Sequence, residues 1–89
     1  MAWYVDFSDA AERDLDKLDK RVREQVLARI AWYAAHADTI EPVPLHAQYK
    51  GLFKLRAGDW RIAYILKPEI KFIGVKMIDH RTKIYKRIK

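Results

Sequence analysis

Three short stretches in the second half of this 89-residue chain carry groups able to bind a phosphate and move protons. They are Gly51-Leu52-Phe53-Lys54-Leu55-Arg56, Asp59-Trp60-Arg61-Ile62-Ala63-Tyr64 and Asp79-His80-Arg81, the last followed closely by Tyr85. Together they offer ammonium, guanidinium, imidazole and phenol groups. Cleavage of RNA without a metal needs a 2′-oxygen made nucleophilic, charge stabilisation on the phosphoryl oxygens and a proton for the departing 5′-oxygen. An ammonium at Lys54, desolvated beside Arg56 and Arg61, can act as a base with lowered pKa or as a charge clamp. Arg81 can bring a guanidinium to a phosphate, and Tyr85 can stack on an unpaired base. The imidazole of His80 is a side chain able to transfer protons. Bland roles compete for each: solubility places Lys and Arg on an exposed sheet face, Tyr85 suits a core rim, and His80 suits a hydrogen-bonded surface position.

Charge is segregated along the chain. Residues 49–89 hold twelve Lys or Arg against three Asp or Glu, whereas residues 1–48 hold six against nine, so +9 and −3 make up the net +6. A positive field confined to one half predicts a polyanionic partner. Arg56, His80, Lys83 and Lys86 accordingly read as RNA-binding residues around Lys54, Arg61, Arg81 and Tyr85. Other chemistries find little support. There is no cysteine, hence no disulfide, thiolate or Cys-ligated zinc, and His36, His46 and His80 lack metal-ligand spacing. Ser8 is the only serine and stands where a helix cap belongs, and the three glycines form no phosphate loop. No metal or cofactor is expected.

These groups need a scaffold, and the apolar pattern supplies one. Trp3, Val5 and Phe7 alternate with Tyr4 and Asp6, predicting a strand over 2–7. Ala11, Leu15, Leu18, Val22, Val26 and Ile30 then recur at helical spacing. Asp19 can cap a second helix midway, which predicts helices over 9–18 and 20–35 as an antiparallel hairpin. The acids Asp9, Glu12, Asp14 and Asp16 are expected on the solvent face. Pro42 and Pro44 mark 36–48 as a crossover loop. Strands follow at 51–56, 60–66 and 70–78, with turns at Ala57-Gly58-Asp59 and Lys67-Pro68-Glu69, and Gly74 marks a bulge or a close approach. Residues 82–89 read equally as a strand extension or a helical turn. The expectation is one α+β domain, 1–89, with a small antiparallel sheet packed by an N-terminal helical hairpin in the order β-αα-βββ. Strand parity places Leu52, Lys54 and Arg56 on one face and Phe53 and Leu55 on the other, with Arg61, Ala63 and Ile65 opposite Trp60 and Ile62. No run has the roughly 18 apolar residues of a membrane span, and the N-terminus lacks the pattern of an export signal. A cytoplasmic location fits.

Val5-Asp6-Phe7-Ser8, Ala11, Asp14-Leu15-Asp16-Lys17-Leu18 and the three stretches above, in this order and spacing, resemble the RelE/ParE toxin superfamily of bacterial toxin-antitoxin modules, more closely its RelE-like branch. The resemblance spans nearly the whole chain. It implies a RelE-like microbial ribonuclease-type fold and a toxin that enters the ribosomal A site and cuts messenger RNA by 2′-hydroxyl attack, leaving a 2′,3′-cyclic phosphate. Lys54, Arg56 and Arg61 would then stabilise phosphate charge. Arg81 would be a phosphate clamp or proton donor, the clamp being the better role for a guanidinium, which stays protonated. Tyr85 would stack on or orient the RNA. Some active RelE-like enzymes carry a further lysine where this chain has Leu52, which leaves Lys54, His80 and Tyr85 as contenders for the general base. Implied partners are a cognate RelB-like antitoxin, the ribosome and, through the antitoxin complex, operator DNA; Trp32 and Tyr33 are candidates to receive an antitoxin helix. Two alternatives share the scaffold: a ParE-like inhibitor of DNA gyrase, and a toxin fold that only binds its antitoxin.

Overall fold

Ser8 ends the first strand and starts the first helix with a single side chain. Its Oγ accepts from the Ala11 amide at 3.1 Å and donates to the Lys76 carbonyl at 2.8 Å, fixing α1 (Asp9–Lys17) to the sheet. Asp19 does the same for α2 (Lys20–His36), accepting from the Val22 amide at 3.0 Å, so the helical stretch breaks at the expected capping residue. The computed structural model describes residues 2–46 and 51–87. Around the helices run β1 (Tyr4–Phe7), β2 (Val43–Pro44), β3 (Phe53–Ala57), β4 (Trp60–Lys67), β5 (Phe72–His80) and a terminal helical turn, α3 (Ile84–Arg87).

The strands form one sheet in the order β1-β5-β4-β3-β2. Expected order and observed order agree apart from three differences. First, β1 lies parallel to β5, so the sheet is mixed rather than wholly antiparallel. The two helices carry the chain across one face from β1 to β2 at the far edge, and β3, β4 and β5 then return antiparallel until β5 meets β1 running in the same direction. Second, Val43 and Pro44 leave the predicted loop to pair with Lys54 and Phe53 at the sheet edge, where a proline costs no ladder bond; residues 47 and 48 of that predicted loop lie outside the described residues. Third, the ambiguous end of the chain is helical over Ile84–Arg87, residues 88 and 89 being outside the described set. Between β3 and β4 the turn has two residues, and Gly58 takes φ +61° at its first position, as a type II′ hairpin requires.

β5 buries Ile73, Val75 and Ile78 on one face, an odd step that a regular strand cannot make. A bulge supplies it. Val75 opposes Tyr64 and Met77 opposes Ala63, leaving Lys76 as the extra residue. Gly74 is two residues away and answers a different need, because a Cβ there would lie 3.0 Å from Ile65 Cγ1. The principal core comprises these β5 residues with Ile62 and Tyr64 of β4, Leu55 and Ala57 of β3, and Ala11, Leu18, Val26, Ile30, Tyr33 and Ala34 from the helical layer. Each fully buried Ile, Val or Leu contributes about 1.5–3 kcal/mol of transfer free energy. Tyr64 donates to the Tyr33 hydroxyl at 2.8 Å inside this core, and burial, reinforced by that bond, pushes the Tyr64 phenol well above its ordinary range. A second, smaller cluster of Leu45, Ala63 and Ile84, flanked by Leu52 and Met77, occupies the other face.

β1 covers β5 only as far as Val75, so the ladder groups of Ile78 face an open edge. Asp14 and Arg87 close it. Asp14 Oδ2 accepts from the Ile78 amide at 2.9 Å and from Arg87 Nη1 at 3.0 Å, while Arg87 Nη1 also reaches Asp79 Oδ2 at 3.2 Å and the Ile78 carbonyl at 3.4 Å. Asp14, at 8% exposure, therefore departs from the solvent-facing pattern expected of the first helix. Burial opposes the Arg87 charge, but Asp14 and Asp79 outweigh it and raise its pKa. Removing the carboxylate leaves the Ile78 amide unpartnered and takes away one of the two carboxylates that hold Arg87. Asp14→Ala is expected to cost about 2–3 kcal/mol, lowering the melting temperature by about 10 °C or more by calorimetry.

Candidate functional site

The face of the sheet away from the helices is built by strand pairing. Arg56 pairs directly with Arg61 and Lys54 with Ala63, so both arginines and Lys54 share that face, as the alternation predicts. Lys54 and Arg56, two residues apart, stand roughly 7 Å apart along β3. Packing of Ile84 with Leu45 and Ala63 seats α3 over this same face. Tyr85, the next residue, then meets Lys54: Nζ donates to the phenolic oxygen at 3.1 Å and lies 5.9 Å from the ring centre. His46 approaches the same ring edge-on, with centroids 6.4 Å apart.

Arg61 and a further arginine, Arg81, converge on the β3–β4 turn. Arg61 Nη1 donates to the carbonyls of Gly58 at 2.8 Å and Trp60 at 3.0 Å. These bonds use one nitrogen and orient the plane, leaving the Nη2 and Nε hydrogens for an anion. Arg81 is held from the other side, its amide donating to the Asp59 carbonyl at 2.8 Å and its Nε 3.5 Å from Asp59 Oδ1. That ion pair is well exposed and contributes about 0–1 kcal/mol, too little to hold Arg81 against a competing phosphate. The result is a row of cationic donors ending in a phenol, suited to a phosphoryl group with an adjoining unpaired base.

Other residues marked from sequence fall elsewhere. His80 pairs with Trp60 on the helix-facing side, packs edge-on to it at 5.4 Å and places Nδ1 2.9 Å from Thr82 Oγ1, apart from the Lys54–Tyr85 contact. Lys83 and Lys86 are exposed beside and on α3, and Arg56 is exposed with its carbonyl accepting from Arg29 Nε at 3.0 Å. Leu52 packs in the second apolar cluster. Tyr33 is buried and offers a partner nothing, whereas Trp32 is 43% exposed and lies stacked against His36, with the Arg29 guanidinium 4.4 Å from its ring. Sequence reasoning missed His46 and Arg87. No local motif announces either: His46 comes to Tyr85, and Arg87 to Asp14, only through the fold.

This geometry has close counterparts. A family described as the ParE toxin of the type II toxin-antitoxin system, parDE, matches residues 5–85. Toxin RelG of Mycobacterium tuberculosis is 33% identical over 91 residues, covering 98% of this chain and all of that one. The toxin-antitoxin complex RelBE2 of M. tuberculosis contains a chain that superposes with a TM-score of 0.75 at 26% identity, over 91% of this chain and all of that one. An arginine-to-alanine double mutant of E. coli RelE in the free state superposes at 0.71 and 25% identity, over the whole of both chains. A helical layer on one face of a small sheet and a cationic opposite face thus define a toxin of the RelE architecture. The chain belongs to the RelE/ParE superfamily of type II toxin-antitoxin toxins.

Because Lys54 and Tyr85 meet at the surface, their contact contributes little to folding. Tyr85→Phe is expected to change unfolding free energy by about 0.5 kcal/mol or less in urea titration. A loss several times larger would make the tyrosine a structural element of α3.

Proposed function

We propose that this toxin is a metal-independent, ribosome-dependent endoribonuclease that cuts messenger RNA in the A site by 2′-hydroxyl attack. The observation that supports it most is the convergence of Lys54 and Tyr85, from remote parts of the chain, beside the Arg56–Arg61 pair and Arg81. In the reaction the 2′-oxygen gives up its proton and bonds to phosphorus as the bond to the 5′-oxygen breaks, leaving a 2′,3′-cyclic phosphate and a 5′-oxygen that takes a proton from water to become a hydroxyl. Arg61 and Arg81 hold the phosphoryl oxygens as charge builds on them. Lys54 and Tyr85, already in hydrogen-bond contact, are the pair through which the 2′-proton leaves on this reading; His80, the third candidate, pairs with Trp60 and contacts Thr82 instead. Arg56, Lys83 and Lys86 bind flanking phosphates. The ribosome contributes by holding the messenger in line, so free RNA is cut poorly.

A cognate RelB-like antitoxin neutralises the toxin on this reading, which is supported by the structural neighbour being a toxin-antitoxin complex; operator DNA is reached only through that complex. The match to a ParE family profile favours gyrase inhibition as the second reading.

Primer extension on a defined messenger, with programmed ribosomes and with free RNA, separates the two. The wild type is expected to cut only on ribosomes, and Arg61→Ala, Arg81→Ala and Tyr85→Phe to slow cutting by about 100-fold or more while staying folded. Absence of cutting by folded, antitoxin-free wild type, together with inhibition of gyrase supercoiling, would replace the first reading with the second.

A further inference from the structure

Lys17 ends α1 and Lys83 precedes α3, far apart in sequence, yet both line one open cavity of about 450 Å³. Such a volume falls within the range of about 300–1,000 Å³ typical of small-ligand sites. Trp60, Leu18 and Ile78 form its apolar wall, and Arg87 completes the cationic side. Asp14 and Asp79 also border it, but both carboxylates are bound by Arg87. Among the described residues no carboxylate lies within ion-pair distance of Lys17 or Lys83, so the lining carries an unspent positive charge beside an indole. His80 holds that indole edge-on at 90°.

The cavity lies at the end of the sheet rather than on the cationic face. Trp60 and Arg61, adjacent in β4, point to opposite faces, but Asp79 borders the cavity while pairing with Arg61, and Lys83 follows Arg81 by two residues, so an RNA strand gripped at the arginines reaches it by passing round the end of β5. Cations beside a partly exposed aromatic are the pairing that binds a single-stranded nucleotide: phosphate on the lysines, base on the ring. We propose that this cavity is a nucleotide subsite adjoining the cleavage position, with the phosphate between Lys17 and Lys83 and the base against Trp60. Its placement next to a scissile bond rests on the ribonuclease reading; its ability to bind RNA does not. The nucleotide comes from the messenger or from ribosomal RNA, which present the same chemistry.

Two measurements on the intact toxin test it. In the first, a short single-stranded oligoribonucleotide is titrated and tryptophan emission followed, with Lys17→Ala, Lys83→Ala and Trp60→Phe beside wild type. Quenching is expected in wild type and lost in Trp60→Phe, and each lysine variant is expected to bind about five- to tenfold more weakly, with the slope of log affinity against log salt smaller by about 0.7. In the second, the lysine variants are compared for binding to vacant ribosomes and for the KM of messenger cleavage on programmed ribosomes. Weakened binding to vacant ribosomes assigns the occupant to ribosomal RNA, whereas a raised KM with unchanged ribosome binding assigns it to the messenger. Wild-type cutting with both lysine variants unchanged in titration, ribosome binding and KM overturns the subsite and leaves the ribonuclease reading standing. RNA-dependent quenching by a wild type that cuts nothing does the reverse.

Discussion

Everything functional in this molecule depends on a change of parity within β5. Ile73 and Val75 face the helices, and so does Ile78, which the extra residue Lys76 makes possible. Without it, the end of the strand would turn Ile78 to the opposite face and Met77 and Asp79 into the core. With it, Asp79 arrives opposite Arg61 and Met77 opposite Ala63, so the same bulge that completes the core also furnishes the second face. Ser8 holds the Lys76 carbonyl while capping α1, tying the irregularity to the start of the helical layer. Apolar burial fixes the register here, and the polar groups accept the consequence.

The cationic face avoids a problem that such a surface creates for itself. Arg56 and Arg61 are directly paired across strands, where like charges repel. Arg61 turns toward the carbonyls of its own hairpin, and Asp79 lies across from it on the other neighbouring strand. The carbonyls of the hairpin thus offset the repulsion without consuming every donor. The remaining N–H groups are fixed in direction before any anion arrives, which is the condition under which such donors favour a developing charge most.

The terminal turn α3 is too short to be stable alone and owes its place to two anchors. Ile84 sits in the small apolar cluster, and Arg87 grips Asp14, Asp79 and the open edge of β5. Tyr85 lies between the anchors and is itself exposed, so its position is set by neighbours in sequence rather than by its own packing. This division lets a residue that contributes little to stability be held in a defined orientation.

Much of the fold could be read along the chain, because apolar periodicity and caps act over a few residues. Both helices, their break at Asp19, the Gly58 turn and the shared face of Lys54, Arg56 and Arg61 all follow from local pattern. The parallel pairing of β1 with β5 does not, since it depends on which edge the returning chain meets. Nor does the burial of Asp14, whose solvent-facing helical pattern is overruled by the Ile78 amide at the open edge, or the parting of the adjacent Trp32 and Tyr33, read alike from sequence, one to the surface and the other to the core. What the sequence alone determined is the set of charged and aromatic groups and the faces of the strands that bear them, because alternation is enforced by backbone geometry. What only the tertiary structure decided is which of those groups meet. Lys54 reaches Tyr85, Arg87 reaches Asp14 and His80 is turned away, because a bulge and a docked helical turn set distances that no local spacing encodes.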